Sequence, residues 1–354
     1  MSVTSLAGAF GFAPQIAKAT AGTNWYWYNV FNCDYGPIID ERPFPQEVGG
    51  QITPTGAYRA GAYAAGGIDF TPRLLDDVGW LMSWLLGEDP VTTPNNPVSG
   101  VNKHTWTLDG TENTLDWGTV HLIIPGSTTL GITSLDNKVA MMRLMLPQTG
   151  LISGRLEMVG RLFDNNDNDD IFAESPAGAG WTPSFEDFTS VPISSKGYFT
   201  VAGLNGGAAL PVTNVGLDFV NGTTTPAQEM IIGSLSPDDF TPIAKTITVR
   251  ATYKWPNPDV YQTIVAGTAA GLKFTPVIFT GQAVIDVKSP GYITGTTPWE
   301  LKFTLPKVVW QITNPRLMGA NILMTDLIGT AIVASNNFVV VDMYNAISSY
   351  VWPT

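Results

Sequence analysis

The chain carries one cysteine, Cys33, and two histidines, His104 and His121, in 354 residues. A single cysteine excludes an intrachain disulfide and fits a reducing compartment. Cys33 itself reads as a small buried hydrophobe. The histidines fall in separate strand-like runs with no Cys or carboxylate at ligand spacing, so both read as structural. Charge is also scarce. Asp, Glu, Lys and Arg make up 14% of the residues, against about 25% in an ordinary soluble domain. A surface this poor in charge points to burial against other subunits. Cations are the scarcer sign, 18 against 30 anions, for a net charge of −12. That balance speaks against free nucleic-acid binding, which needs a basic patch; acidity is equally an ordinary solubility device. The first cation, Lys18, follows the mildly apolar stretch 3–16, which makes a poor signal peptide. No stretch approaches the ~20 apolar residues that cross a bilayer: 79–87 is too short, and 322–334 is broken by Thr325 and Asp326. A soluble protein, made in a cytoplasm and without a membrane partner, is expected.

Catalytic signatures are missing too. The chain has no H-E-x-x-H, G-x-S-x-G or G-x-G-x-x-G pattern. The stretch Gly267-Thr268-Ala269-Ala270-Gly271-Leu272-Lys273 has the wrong spacing for a phosphate loop and precedes a strand. The run 164–169 begins like a calcium loop, but Asp169 stands where Gly is needed and Ser175 where Glu is needed. Asn221-Gly222-Thr223 fits a glycosylation acceptor, with nothing else pointing to secretion. Paired carboxylates for glycoside cleavage have no linear signature, and nothing favours them. No catalytic residue, metal or cofactor is expected.

Gly and Pro are plentiful, 36 and 26, and lie between strand-like runs as turns do. Residues 1–50 read as an extended N-terminal arm. Within it, Trp25, Tyr26, Trp27 and Tyr28 stand in a row. In a strand, alternate members face opposite sides, so this segment is expected to lie between two surfaces, its own core or a neighbour's. Residues 71–87 are the best helix: Thr71 as N-cap, Pro72 at N1, Gly87 as stop, and Leu74, Val78, Leu81 and Leu85 on one stripe. Strands follow at 104–108, 118–124, 128–134, 138–146 and 150–163, the last two joined by a Pro-Gln-Thr-Gly turn. A tip before 118 carries Glu112, Asp116 and Trp117. The polar, Pro- and Gly-rich stretch 164–200 reads as the main boundary. Beyond it come a β run at 245–255, a short helix at 256–266 ending on Gly267, and strands at 276–288, 299–313, 321–334 and 338–344.

The order of elements repeats. Residues 66–87 read strand, Pro, helix, Gly, and so do 246–267; the run 136–146 corresponds to 305–313, each followed by a Pro-containing turn and a long strand. A mainly β chain follows, with two tandem β-sandwich or barrel domains over 51–185 and 186–354, each with one flanking α-helix.

This pattern resembles a known family. Gly66-Gly67-Ile68-Asp69-Phe70, the helix ending Trp84-Leu85-Leu86-Gly87, then Lys103-His104-Thr105-Trp106-Thr107-Leu108 and Leu151-Ile152-Ser153-Gly154-Arg155-Leu156-Glu157-Met158-Val159-Gly160 look like the first half of a bacteriophage tail tube protein of the long non-contractile type. The second half looks like a partner repeat, with Asn345 near its end where such chains often carry Asn. The resemblance covers about residues 50–350 and is one of order more than of strict motif. It implies a virion protein that self-assembles, its inner sheet joining those of its neighbours into a closed barrel. It also implies rings stacked into a tail tube through loops and arms, and an acidic lumen along which DNA slides without specific binding during ejection. Two tube domains per chain imply a trimer with pseudo-sixfold symmetry. The partners implied are the chain itself and the tape measure, tail terminator and tail tip proteins, with assembly in the host cytoplasm. Trp25, Tyr26, Trp27, Tyr28, Glu112, Asp116 and Trp117 are the expected assembly contacts. The alternatives are another phage structural protein, such as a capsid decoration protein, or a carbohydrate-binding or hydrolytic β protein of the tail tip.

Overall fold

The computed structural model describes residues 8–45, 53, 56–75, 77–110, 114–125, 130–162, 172, 183, 186–315, 323–335 and 337–353. The acidic run 164–169 and Glu112 lie outside them. Strands dominate, and all strand pairings are antiparallel. The first part of the chain contributes β1 (Ala9–Pro14), β2 (Tyr26–Tyr28), β3 (Val30–Cys33), β4 (Gly36–Pro43), β5 (Ala57–Phe70), α1 (Asp77–Leu86), β6 (Val91–Thr93), β7 (Asn102–Asp109), β8 (Gly118–Ile124), β9 (Leu130–Leu146) and β10 (Ser153–Arg161). The rest contributes β11 (Tyr198–Val201), β12 (Val212–Thr223), α2 (Pro226–Glu229), β13 (Pro242–Lys254), α3 (Asp259–Ala266), β14 (Thr280–Thr294), β15 (Thr297–Ile312), β16 (Met324–Ala331) and β17 (Asn337–Asn345).

Two runs of strands share one spatial order. The first is β4-β5-β10-β9-β8. The second is β12-β13-β16-β15-β14. In each, the first two strands form a hairpin and a helix follows the second strand, α1 after β5 and α3 after β13. The runs are joined edge to edge by β12 pairing with β9, from Val215↔Leu146 to Val220↔Met141. The result is one continuous sheet, β4-β5-β10-β9-β12-β13-β16-β15.

Alternation sorts this sheet into two faces. One row of paired residues runs Phe70, Gly154, Leu144, Leu217, Val249, Gly329, Trp310. It belongs to a single apolar core, to which both parts of the chain contribute. The two glycines make room for rings: a Cβ at Gly154 would lie 2.7 Å from the Phe70 ring, and one at Gly329 2.7 Å from the Trp310 ring. The next row, on the opposite face, runs Asp69, Arg155, Arg143, Asp218, Thr248, Thr330, Val309.

Helix α1 begins at Asp77, later than Pro72, because the Asn345 side chain takes the carbonyls of Leu74 and Leu75 at 3.2 and 3.1 Å. It is buried nearly all round, as an apolar helix inside a core should be. Gly87 stops it in the left-handed region (φ +67°), its N–H donating to Ser83 O at 2.8 Å. Gly267 stops α3 the same way, with φ +81° and its N–H on Thr263 O at 3.0 Å. The two strands expected at 128–134 and 138–146 are one, β9. The chain bends at Asp136 (φ +50°), whose buried carboxylate accepts from Arg161 Nη1 at 2.7 Å, Gln15 Nε2 at 2.9 Å and the Ala19 N–H at 2.7 Å. The segment read as an arm carries β1–β4; β1, β3 and β4 pair with the body of the chain and β2 pairs with β1, and Phe10 and Phe12 are fully buried.

Candidate functional site: the exposed sheet face and its edges

Among the described residues, no group of His, Cys, Asp and Glu side chains is arranged to hold a metal. Both histidines are buried and hydrogen-bonded. His104 Nδ1 lies 2.9 Å from Thr92 Oγ1 and its Nε2 3.0 Å from Asn345 Oδ1, while His121 Nδ1 lies 2.8 Å from Thr133 Oγ1. Burial holds the His104 pKa below its ordinary value and pushes the Cys33 thiol up, away from thiolate chemistry. Asn221, the glycosylation candidate, is buried in β12 and donates to Leu85 O at 2.8 Å and Val139 O at 3.0 Å. Among the described residues no helix is long and apolar enough to cross a membrane.

What the fold does present is a broad polar sheet face. Arg155 is ringed by carboxylates: Nη2 on Asp34 at 2.8 Å, Nη1 on Asp69 at 3.2 Å and Nε on Glu157 at 3.0 Å. The bond from Arg155 holds the Asp34 carboxyl below its ordinary pKa. Asp218 sits between Arg143 at 2.6 Å and Arg250 at 3.8 Å. A shallow depression of about 430 Å³ beside it is lined by Arg143, Asp218, Arg250, Thr252 and Asp326. Arg155 and Arg143 are hydrogen-bonded to carboxylates, and a cation engaged this way is a weaker phosphate ligand. Arg250, 67% exposed and 3.8 Å from Asp218, is only loosely paired. The face is therefore hydrophilic, with most of its guanidiniums paired to carboxylates.

The model of the phage tail tube protein family matches residues 45–301. The chain belongs to that family. A comparison with curated proteins gives no match. Family membership makes this a structural component of a phage tail, a virion protein of the tail tube. Tail tube subunits work by assembling, so the informative features are those that can meet another copy.

The aromatic row behaves as its alternation predicts, with both surfaces supplied by the chain itself. Trp25 and Trp27 face a small cluster with Ala9, Ala13 and Ile123, and both meet the His121 ring edge-on, at 5.7 and 6.2 Å. Trp27 lies so close over β1 that a Cβ on Gly11 would be 2.8 Å from its ring. Tyr26 and Tyr28 face the main core, Tyr26 on Trp80 at 4.7 Å and Tyr28 on Phe12 at 5.5 Å. Asp116 and Trp117 sit apart from this row, at the join between the two runs of strands. Trp117 Nε1 donates to Asp239 at 3.1 Å, and Lys138 lies over its ring at 5.3 Å while pairing with Asp239 at 2.9 Å. Burial, with Asp89 nearby, pushes the Asp116 carboxyl up to about 6.

The sequence reading missed β12, the strand that makes the join. Its core positions Val215, Leu217 and Phe219 do alternate, but Gly216, Asn221 and Gly222 break the apolar signal. The open edges were also invisible. Among the described residues, β4 pairs with β5 alone, and its Ile38 and Ile39 are exposed. At the far end, β14 leaves β15 at Thr280↔Val309, with one further bond from Trp310 N–H to Phe279 O at 3.2 Å. Val277 and Ile278, directly before Phe279, stand exposed there.

Proposed function

We propose that the chain polymerises as stacked rings of three copies into the tail tube, with the polar sheet face lining the lumen through which DNA passes. The observation that carries this reading is the join itself: two runs of strands with the same order meet edge to edge through β9 and β12. A family whose rings commonly hold six tube domains would reach that number with three chains, each contributing two, and the wall would close with the usual tilt and curvature. Closure also removes the sheet edges, which would otherwise pair indiscriminately.

Duplication divides the contacts around the ring. Half lie within a chain, where the connection between the runs keeps effective concentration high. Half lie between chains and must resist the forces of ejection. On the lumen face, arginines already paired to carboxylates and an overall charge of −12 favour repulsion of phosphate over adhesion. The aromatic row Trp25–Tyr28 and the Asp116–Trp117 segment then serve assembly indirectly, by fixing the subunit's shape at its join. The ends of the tube would meet the tape measure, terminator and tip proteins, in assembly that takes place in the host cytoplasm.

Electron microscopy of the concentrated protein tests this. Tubes whose rings contain three chains are expected. Rings of six chains overturn the stoichiometry, and a protein that forms no tubes under any condition of salt and concentration overturns the reading.

A further inference from the structure

The internal join prescribes the join between chains. Its register can be transferred strand by strand. Phe70 and Tyr253 are the last core-facing residues of β5 and β13 before their helices, opposite Gly154 and Thr325. One step back, the core row Ile68, Leu156, Met142 is completed by Phe219 of β12. Its counterpart is Ala251, Leu327, Ile312, and among the described residues this row has no fourth member. The pattern of occupation is the same as well. On β9, β8 holds the edge as far as Asn137 and β12 takes over from Met141. On β15, β14 holds the edge as far as Val309, and from Gln311 onward no strand among the described residues lies upon it.

The strand that corresponds to β12 is β4, with the end of β3. Phe219 lies opposite Ile247, four residues before Ala251; Pro37 lies opposite Ala64, four residues before Ile68. We propose that the edge of Cys33–Ile38 in one copy pairs antiparallel with the Gln311–Pro315 edge of a second copy, with Pro37 opposite Ile312 and Ile38 opposite Gln311. This rests on the tail-tube reading above and names the surface that closes the ring. The contact is head to tail, so successive copies add in one direction until the ring closes.

A cavity supports the same occupant. At the internal join, the turn after α2 folds back onto β5: the Ala62 N–H donates to Leu235 O at 2.6 Å, and a Cβ on Gly61 would lie 3.0 Å from the Met230 methyl. The corresponding positions on β13, Ala244 and Lys245, instead line a cavity of about 400 Å³ with Ile243, Ala331, Val333 and Phe338. By the same transfer, the outer end of the second copy's β4–β5 hairpin fills it. That end carries Phe44 and Tyr58, half-exposed and in ring contact at 5.6 Å.

The test joins Ile38→Cys with Gln311→Cys on a Cys33→Ser background. Oxidising assembled tubes is expected to link chains into a ladder that stops at three, with no linkage in the dispersed subunit. In wild-type protein, amide hydrogen exchange is expected to slow on assembly at 33–36 and 38 and at 311–314, Pro37 and Pro315 having no amide hydrogen. Because Ile243 is 61% exposed, Ile243→Glu is expected to fold but assemble poorly. Tubes that neither cross-link nor gain protection at these segments overturn the edge assignment while leaving the tube reading intact. Normal tubes from Ile243→Glu overturn the cavity half. If wild-type protein makes no tubes, the tube reading falls and this inference with it. Should the cysteine variant fail to assemble, wild-type exchange alone decides.

Discussion

Arg143 on β9 donates to Asp218 on β12 at 2.6 Å, across the pairing that joins the first run of strands to the second. The pair is half in water: the Arg143 side chain is 47% exposed. On the opposite face of the same two strands, Leu144 lies against Leu217 and Met142 against Phe219, all buried. The join is thus held by its apolar side and aligned by its polar side.

That division predicts a contrast. Arg143→Ala should cost no more than about 1 kcal/mol, the usual value of an exposed ion pair. Phe219→Ala should cost about 3–5 kcal/mol, through lost burial and the cavity left behind. Denaturant unfolding of the two variants checks this, and equal costs would mean the ion pair carries the join.

Gly79 reverses an ordinary rule. Replacing glycine by alanine inside a helix normally stabilises by about 1 kcal/mol. Here a Cβ would stand 2.3 Å from the Tyr350 ring. Tyr350 is fully buried against His104 and Trp106 and cannot yield cheaply. Gly79→Ala should therefore lower the melting temperature, whereas an alanine gain would show that the C-terminal segment moves aside.

Asn345 ties together parts of the chain far apart in sequence. Its Nδ2 serves Leu74 O, Leu75 O and Tyr350 Oη, and its Oδ1 meets His104 Nε2 and accepts from the Ile347 N–H. Asn345→Ala would leave several buried polar groups unsatisfied at about 1–3 kcal/mol each. A loss of at least about 2 kcal/mol is expected by denaturant unfolding, and at least as large a loss for Asn345→Asp, which keeps the acceptor toward Ile347 but buries a carboxylate against the Leu74 and Leu75 carbonyls.

Asp116 should make stability fall as pH rises. Its folded pKa, about 6, lies above the ordinary 3.8. The folded state therefore binds a proton that the unfolded state has released. This contribution is fully present below pH 4 and is lost as pH rises through 6. The shift corresponds to at most about 3 kcal/mol. Asp116→Asn should flatten the stability profile between pH 4 and 7 and be the more stable form at neutral pH. A profile unchanged by the substitution would mean the carboxyl is solvated.

Much of the fold was legible because local chemistry fixes it. The glycine stops at Gly87 and Gly267, the hairpin of β9 and β10 and the strands around both histidines all follow from period and turn residues. The alternation of Trp25–Tyr28 gave two faces, and tertiary structure supplied surfaces for both from within the chain. What pairs with what was not legible. β12 reaches β9 because β10 occupies the other edge of β9 and the pairing of β8 with β9 stops at Asn137. Asp136 bends β9 without ending it because three distant donors converge on its carboxylate. The paired arginines of the polar face meet carboxylates on strands far away in sequence, as Arg155 meets Asp34 and Asp69 and Arg143 meets Asp218. Where the alternation is unbroken, sequence determined which segments are strands and which side of each is apolar, since both depend on neighbours a few residues away; where glycines and asparagines interrupt it, as in β12, it did not. Tertiary structure decided which edges are filled and which remain open, since an edge is defined by the strand that lies beside it.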